Sequence, residues 1–287
     1  MFVLNHVSKG DGYMIITFNG TGASEGFPAL FCECQHCSRA RTMDEKNFRM
    51  RSSCLVDDTL LIDFSCDTYA RSLYGKLDLT KVRNIIITHS HADHLYPSDL
   101  FAIMPPFAEH NRTMPLQIHG NKNVQEIVGS RIMSRPEIGK YLKFNLMESF
   151  VTYHIDEYKI TPLPAYHDLK QECFIYVIQK NNKTLLCGYD SSYFPEDAWE
   201  ALKYYRFDGV ILDCTSGAHE CPYPSHMGIP ENIKVRKRML SEGIADEGTK
   251  FILTHFAHSF APFYDDINKI AAENGFIAAY DGFQIEI

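Results

Sequence analysis

Three histidines and one aspartate lie within six residues of the chain, in the segment His89-Ser-His91-Ala-Asp93-His94. Imidazole nitrogens and carboxylate oxygens are strong metal ligands, and a protein core could not bury four such groups without a partner. Side chains this close in sequence are hard to aim at one tetrahedral ion. They can serve two ions about 3.5–4 Å apart, as in two-metal hydrolases. The segment therefore predicts a dinuclear metal site rather than an exposed polar loop.

The elements around this segment indicate how it could be held in place. Apolar runs rich in Ile, Val, Leu and aromatic residues predict strands at residues 13–18, 53–56, 60–63, 84–88, 116–119, 158–163, 174–179, 184–187, 209–213 and 251–254. Helical patterns occur at residues 66–74, 97–103, 124–130, 195–203, 230–241 and 262–273. Strands dominate the first half and alternate with helices later, which predicts a fold of the α/β (α+β) class.

Polar residues follow four of the predicted strands. His89 comes directly after residues 84–88, His167 follows 158–163, Asp190 follows 184–187 and His255 follows 251–254. Loops at the ends of rigid strands are where proteins hold functional groups in place. We therefore expect these four segments to converge on one face of the fold.

A second cluster of metal-binding side chains lies near the N-terminus. Cys32, Cys34 and Cys37 offer three closely spaced thiolates, and a structural zinc ion needs a fourth ligand to complete its tetrahedron. His258 is the preferred candidate because it lies three residues after His255 and can point to a different site. His36, inside the cysteine loop, is the alternative. The other six cysteines lack ligand spacing and are expected to be buried apolar residues or bystanders.

Composition limits the class of protein. The 287 residues contain no linker or low-complexity run, which predicts one domain over 1–287. The N-terminus has neither a signal peptide nor a membrane span, and the odd count of nine cysteines suits a reducing compartment, so we expect a cytoplasmic protein. The formal net charge of −8 argues against binding of long nucleic acid and allows a small phosphorylated substrate. The oligomeric state is open, a homodimer included.

The histidine segment resembles the H-x-H-x-D-H signature of the metallo-β-lactamase fold, a four-layer αββα sandwich with a dinuclear site at one edge of its sheets. This resemblance implies that a first divalent ion is bound by three histidines, a second by Asp93 and two histidines, and that Asp190 bridges them. It implies that Asp63 orients the histidine loop without binding metal; an aspartate that caps a turn is the alternative. The implied ligands are His89, His91 and His167 for the first ion and Asp93, His94 and His255 for the second.

The cysteine loop narrows the resemblance to one branch of this fold. Together with Gly20-Thr-Gly22, the His255-Phe-Ala-His258 pair and the terminal Tyr280-Asp-Gly-Phe-Gln-Ile, it resembles the PhnP-like branch of cyclic phosphodiesterases over nearly the whole chain after residue 13. This similarity implies a structural zinc on Cys32, Cys34, Cys37 and His258. It also implies two catalytic ions, which could be manganese or zinc.

The function we expect is hydrolysis of small phosphodiesters, cyclic ones included, by a hydroxide held between the two metals. Asp93 and Asp190 would be catalytic through the ions that they bind. His226, in Pro-Ser-His226-Met-Gly, resembles the phosphate-contacting histidine of this family and would act as general acid on the leaving oxygen. A helix-capping or solvent-exposed histidine is the alternative. Tyr193, His219 and Tyr223 are candidates for the pocket wall.

Other activities use the same metal set. A tRNA 3′-end endonuclease would need an arm for tRNA, and the chain has no long Gly/Pro-rich insertion for it. A lactone or thioester hydrolase would direct the same hydroxide at carbon. The branch involved in quinone-cofactor biosynthesis also has a cysteine-loop zinc, but its histidine motif is degraded, whereas the motif here is intact. A non-catalytic alternative is a binding protein whose fold is held together by metal.

Overall fold

The computed structural model describes residues 12–43, 45–75, 77–132, 135–260 and 263–287. It contains six α-helices and fourteen strands in these residues. The strands are β1 Ile15–Gly20, β2 Ser53–Val56, β3 Leu60–Ile62, β4 Asn84–Ile86, β5 Leu116–Gly120, β6 Leu142–Leu146, β7 Tyr153–Ile155, β8 Tyr158–Pro164, β9 Phe174–Lys180, β10 Lys183–Gly188, β11 Gly209–Asp213, β12 Lys250–Thr254, β13 Ile277–Ala278 and β14 Gln284–Glu286. The helices are α1 Gln35–Ala40, α2 Thr68–Tyr74, α3 Lys122–Ile132, α4 Glu196–Leu202, α5 Ile229–Ser241 and α6 Tyr264–Glu273.

The strands form two seven-stranded mixed sheets. The first has the order β14-β1-β2-β3-β4-β5-β6 and the second the order β13-β12-β11-β10-β9-β8-β7. All strands from β1 to β6 belong to the first sheet and all from β7 to β13 to the second. The last strand, β14, returns to the first sheet and pairs antiparallel with β1.

Alternation along the strands explains the layers, because successive side chains of a strand point to opposite faces. In β12, Ile252 packs in a core between the two sheets, while Phe251 and Leu253 pack with α4, α5 and α6 on the outer face of the second sheet. In the first sheet, Ile86 faces the central core and Ile85 faces α3. The result is a four-layer αββα sandwich, as the resemblance to the metallo-β-lactamase fold implied.

The predicted elements agree closely with the observed ones. Each of the ten predicted strands and six predicted helical segments corresponds to an observed element, with bounds that differ by a few residues. The segment 97–103 is a 3₁₀ helix rather than an α-helix. Residue 262, the predicted start of the last helix, lies outside the described residues. Helix α1, the strands β6, β7, β13 and β14 and the short 3₁₀ helices Glu45–Asn47 and Pro136–Lys140 were not predicted from the sequence.

Parallel pairing brings the ends of several strands to the same edges. β3, β4 and β5 run parallel in the first sheet, and β10, β11 and β12 run parallel in the second. The residues that follow these parallel strands therefore emerge at the same edge of each sheet. Among the described residues, no helix has the length and apolar character needed to cross a membrane.

Candidate metal centre and active site

The histidine loop is fixed from beneath by Asp63, which follows β3 next to the end of β4. Asp63 Oδ1 accepts hydrogen bonds from the backbone N–H of Thr88 at 2.8 Å and from its hydroxyl at 3.0 Å. Asp63 Oδ2 lies 2.6 Å from Nδ1 of His94. All three residues are buried. The bond at Nδ1 leaves Nε2 of His94 as the nitrogen that faces the rest of the site.

The second sheet supplies three more side chains. His167 follows β8, Asp190 follows β10 and His255 follows β12. Asp190 Oδ2 lies 3.0 Å from Nε2 of His94 and 3.7 Å from Nε2 of His89, and Asp190 Oδ1 lies 2.7 Å from Nε2 of His255. The structure thus brings together the seven side chains that the sequence singled out, four from the side of the first sheet and three from the second.

The seven side chains divide into two groups, and within each group the ligand atoms lie within 4.8 Å of one another. In the first, Nδ1 of His91 lies 3.1 Å from Nε2 of His167. In the second, Asp93 Oδ2 lies 3.2 Å from Nε2 of His94. The first group is His89, His91 and His167, and the second is Asp93, His94, Asp190 and His255.

Several of these buried atoms lie close to one another but without the angles of a hydrogen bond, so they have no hydrogen-bond partner within the described protein. They are Nε2 of His89, His94 and His255 and Oδ1 of Asp190. Leaving buried polar atoms without partners costs free energy, so a cluster of four at one place indicates a missing partner. Imidazole and carboxylate lone pairs directed at one another across about 3–4 Å fit divalent cations. The residues therefore fit the metal ions that the fold implies.

Three residues of the site have an unusual backbone conformation. Asp63, Asp190 and His255 have φ values of 62°, 54° and 62°. Side chains other than glycine rarely adopt this left-handed region, and such strain is common at functional sites. Each of the three residues stands just after a strand, where the turn directs its side chain into the cluster.

The electrostatics favour ionised carboxylates within the cluster. Burial opposes charge on Asp190, but His255 and His94 outweigh it and hold the pKa of this carboxyl well below its usual range. Burial likewise opposes protonation of His255, yet the Asp190 carboxylate raises the pKa of this imidazole to about 10. The Asp190 carboxylate thus attracts positive charge, which the imidazole protons supply here and which a divalent ion would supply in their place.

The cysteine loop forms a separate cluster. The ligand atoms of Cys32, Cys34, Cys37 and His258 all lie within 4.8 Å of one another, with Cys32 Sγ 3.6 Å from Nε2 of His258. The backbone N–H of Cys37 lowers the pKa of the Cys34 thiol to about 7. His36 is not in this group, since its ring packs edge-on against Phe263.

A cavity of about 620 Å³ opens onto the histidine and aspartate cluster. His226 lines it, and its ring is parallel to that of His255 at 5.4 Å between centroids. Tyr223 lies in the wall, as expected. His219 and Tyr193 are outside the described wall: His219 contacts the wall residue Phe260, and Tyr193 packs on Trp199.

Asp213 and Thr215 are site residues that the sequence analysis missed. Asp213 Oδ2 lies 2.7 Å from Nδ1 of His226. The Thr215 hydroxyl lies 2.8 Å from Nδ1 of His255 and 3.2 Å from Nδ1 of His226. Burial opposes protonation of His226, but Asp213 raises the pKa of this imidazole above its ordinary value. Asp213 ends the predicted strand 209–213, so the rule that identified His89 and Asp190 could also have found it.

Comparison with known proteins agrees with this geometry. The model of the beta-lactamase superfamily domain matches residues 58–256, and the chain belongs to this superfamily. With the two clusters of ligand side chains, the family and the fold define a metal-dependent hydrolase that uses divalent ions.

Similar solved structures span nearly the full length of the chain. A diphosphatase from the PhnP family has a TM-score of 0.73 at 22% identity, covering 96% of this chain and 98% of its own. Zinc-bound PqqB from Methylobacterium extorquens has a TM-score of 0.68 at 14% identity, covering 95% and 100%. The short form of human tRNase Z has a TM-score of 0.65 at 16% identity, covering 94% and 98%. No curated protein matches the sequence. At these identities the similarities establish the fold.

Proposed function

We propose that this protein is a phosphodiesterase that hydrolyses small phosphodiesters, cyclic ones included. The observation that carries the proposal is the place of His226, which lines the same cavity as the dinuclear cluster and is paired with Asp213. A phosphodiester is anionic and leaves an alkoxide that needs a proton. A cation pair with a proton donor beside it suits both requirements.

The metal ions have defined places in this proposal. His89, His91 and His167 would hold one divalent ion, Asp93, His94 and His255 the other, and Asp190 would bridge them. When bound, such a pair lowers the pKa of water and neutralises negative charge on phosphoryl oxygens. The ions could be manganese or zinc, because His and Asp ligands accept both. Cys32, Cys34, Cys37 and His258 would hold a structural zinc.

The protein's own residues supply the proton and the orientation. Asp213 accepts the hydrogen of His226 at Nδ1, so Nε2 is the atom from which His226 donates a proton to the leaving oxygen. The Thr215 hydroxyl touches both His226 and His255. It thereby fixes the ring of the proton donor relative to a ring that holds metal.

The volume of the cavity and the small number of basic residues in its wall favour a small substrate. A volume of about 620 Å³ is within the usual range for pockets that enclose small molecules. Among the described residues of the wall, Lys170 is the one lysine or arginine. Long nucleic acid is contacted through many lysines and arginines, so this wall favours a single anionic group.

The proposal is tested by turnover of the metal-loaded protein on four substrate classes. They are cyclic phosphodiesters, linear phosphodiesters such as bis(4-nitrophenyl) phosphate, lactones and thioesters, and a tRNA precursor, each with manganese and with zinc. We expect hydrolysis of the small diesters, and Asp190→Ala should abolish it together with metal binding. Turnover of acyl esters alone, or of the tRNA precursor alone, would replace the proposal with the corresponding alternative.

A further inference from the structure

The residue after His167 makes a contact that no sequence pattern indicated. Asp168 lies in the loop between β8 and β9 and lines the cavity. Its Oδ2 lies 3.1 Å from Nε2 of His91, which is 77 residues earlier in the chain. The contact therefore joins the histidine loop of the first sheet to a loop of the second.

Asp168 is itself held by a chain of hydrogen bonds that returns to the histidine loop. Its Oδ1 accepts the backbone N–H of Lys170 at 2.9 Å, and its Oδ2 accepts Nε2 of Gln171 at 3.0 Å. Gln171 Oε1 in turn accepts the backbone N–H of Ser90 at 3.0 Å and its hydroxyl at 2.6 Å. Because Ser90 precedes His91, the contacts close into a ring.

His91 has particular need of such support. Its side chain is 41% exposed, whereas those of His167 and His89 are 5% and 1% exposed. Packing fixes the two buried rings, but an exposed ring keeps rotamer freedom that must be lost when it binds an ion. A hydrogen bond from a fixed carboxylate can restrict that freedom before the ion arrives.

The contact also selects the nitrogen that faces the metal site. An ionised carboxylate only accepts hydrogen bonds, so Nε2 of His91 must carry the ring hydrogen when it is bonded to Asp168. Nδ1 is then the lone-pair nitrogen. It is this atom that lies 3.1 Å from Nε2 of His167, inside the first group of ligand atoms.

We propose that Asp168 and Gln171 form an outer clamp that positions His91 for binding of the first metal ion. Asp168 fixes the tautomer and the ring orientation, and Gln171 fixes Asp168 against the backbone of Ser90. The clamp rests on the proposed dinuclear site, and neither residue contacts the metal itself. Loss of an outer partner of a ligand histidine usually lowers metal affinity about 10- to 100-fold.

The test is a metal titration of chelator-treated protein, in which manganese binding is followed by the exchange-coupled electron paramagnetic resonance signal of the ion pair. Asp168→Ala should raise the manganese concentration needed for pair formation about 10- to 100-fold. Asp168→Asn should shift it less, because the amide oxygen still accepts from His91. Gln171→Ala, which leaves the carboxylate in place without its support, should give an intermediate shift. Glu172→Ala removes an exposed carboxylate from the same loop and should leave the titration unchanged.

The outcomes separate the clamp from a general structural role and from the proposed function. The variants should unfold at the wild-type temperature when metal-free, and Gln171→Ala decides the question if Asp168→Ala does not fold. If Asp168→Ala and Gln171→Ala both form the ion pair at the same manganese concentration as the wild type, the proposed clamp is overturned. If the wild-type protein forms the ion pair but hydrolyses no diester, the proposed function is contradicted. The comparison of metal affinity between the variants remains valid, because it does not depend on hydrolysis.

Discussion

Asp213 Oδ2 lies 2.7 Å from Nδ1 of His226, and the carboxylate is buried while the imidazole reaches the cavity. Asp213 is held in turn by the backbone N–H groups of Thr215 at 2.9 Å and Met227 at 3.0 Å. The pair therefore has a fixed inner end and a ring that faces substrate. This arrangement suits a histidine that donates a proton at Nε2.

Replacing this histidine should affect turnover without affecting metal content. His226→Ala is expected to lower kcat by about 10²- to 10⁴-fold on diesters with alkoxide leaving groups. The loss should be much smaller with 4-nitrophenolate, which leaves without a proton. Asp213→Asn should give a partial loss of the same kind. Steady-state kinetics on both substrates, with metal analysis of each variant, make the measurement, and unaltered turnover of the alkyl ester would remove the assigned role.

Asp63 should contribute both to stability and to metal affinity. Asp63→Ala leaves Nδ1 of His94 and the N–H of Thr88 buried without their acceptor, which costs about 1–3 kcal/mol for each unsatisfied group. The affinity for the second ion should fall about 10- to 100-fold because His94 loses its orientation. Urea unfolding in chelator and a metal titration measure the two effects. Asp58→Ala, at an exposed aspartate, is the control. Equal unfolding free energies and metal affinities for the two variants would contradict the role of Asp63 in orienting His94.

The cysteine loop should hold one zinc ion that stabilises the fold. Cys37→Ser is expected to reduce the zinc content by one ion per chain. It should lower the free energy of unfolding by about 2–3 kcal/mol when zinc is present at roughly 100 times its Kd. Cys66→Ser, at an exposed cysteine outside the cluster, should change neither quantity. Elemental analysis and thermal unfolding test this, and a full zinc complement in Cys37→Ser would show that Cys37 is not a ligand.

Lys170 should contribute to binding of an anionic substrate. It is exposed and lies in the cavity wall, so its attraction to a phosphodiester is screened and modest. Lys170→Ala is expected to raise KM about two- to fivefold with kcat unchanged, and the difference should shrink at high salt. Lys143→Ala, at an exposed lysine of β6, is the charge-matched control. The same KM change in both variants would mean that only net charge matters.

Four of the elements that were not predicted from the sequence are the outermost strands. β6 and β14 form the edges of the first sheet, and β7 and β13 form those of the second. Central strands are covered on both faces and appear in the sequence as apolar runs, whereas an edge strand such as β14 has exposed or half-buried residues. The central strands were predictable for this reason, and the edges were not.

The site divides in a similar way. The histidine segment is local in sequence and could be recognised, because its ligands lie within six residues. The orienting contacts are not local: Asp168 and His91 are 77 residues apart, and Asp213 and His226 are 13 apart. Asp213 stands at the end of a predicted strand, but a single aspartate does not reveal which side chain it contacts. The partner of Asp168 became visible only when the loops of the two sheets were placed together.

The division of ligands between the sheets makes metal binding a link between two parts of the chain. His89, His91, Asp93 and His94 come from the part that builds the first sheet, and His167, Asp190 and His255 come from the part that builds the second. Ions bound at the proposed site would bind the assembled sandwich and not its separated sheets. The melting temperature should therefore rise with free metal concentration, following RT ln(1 + [L]/Kd). Hydrogen exchange in chelator should be fastest where the two parts meet around the ions.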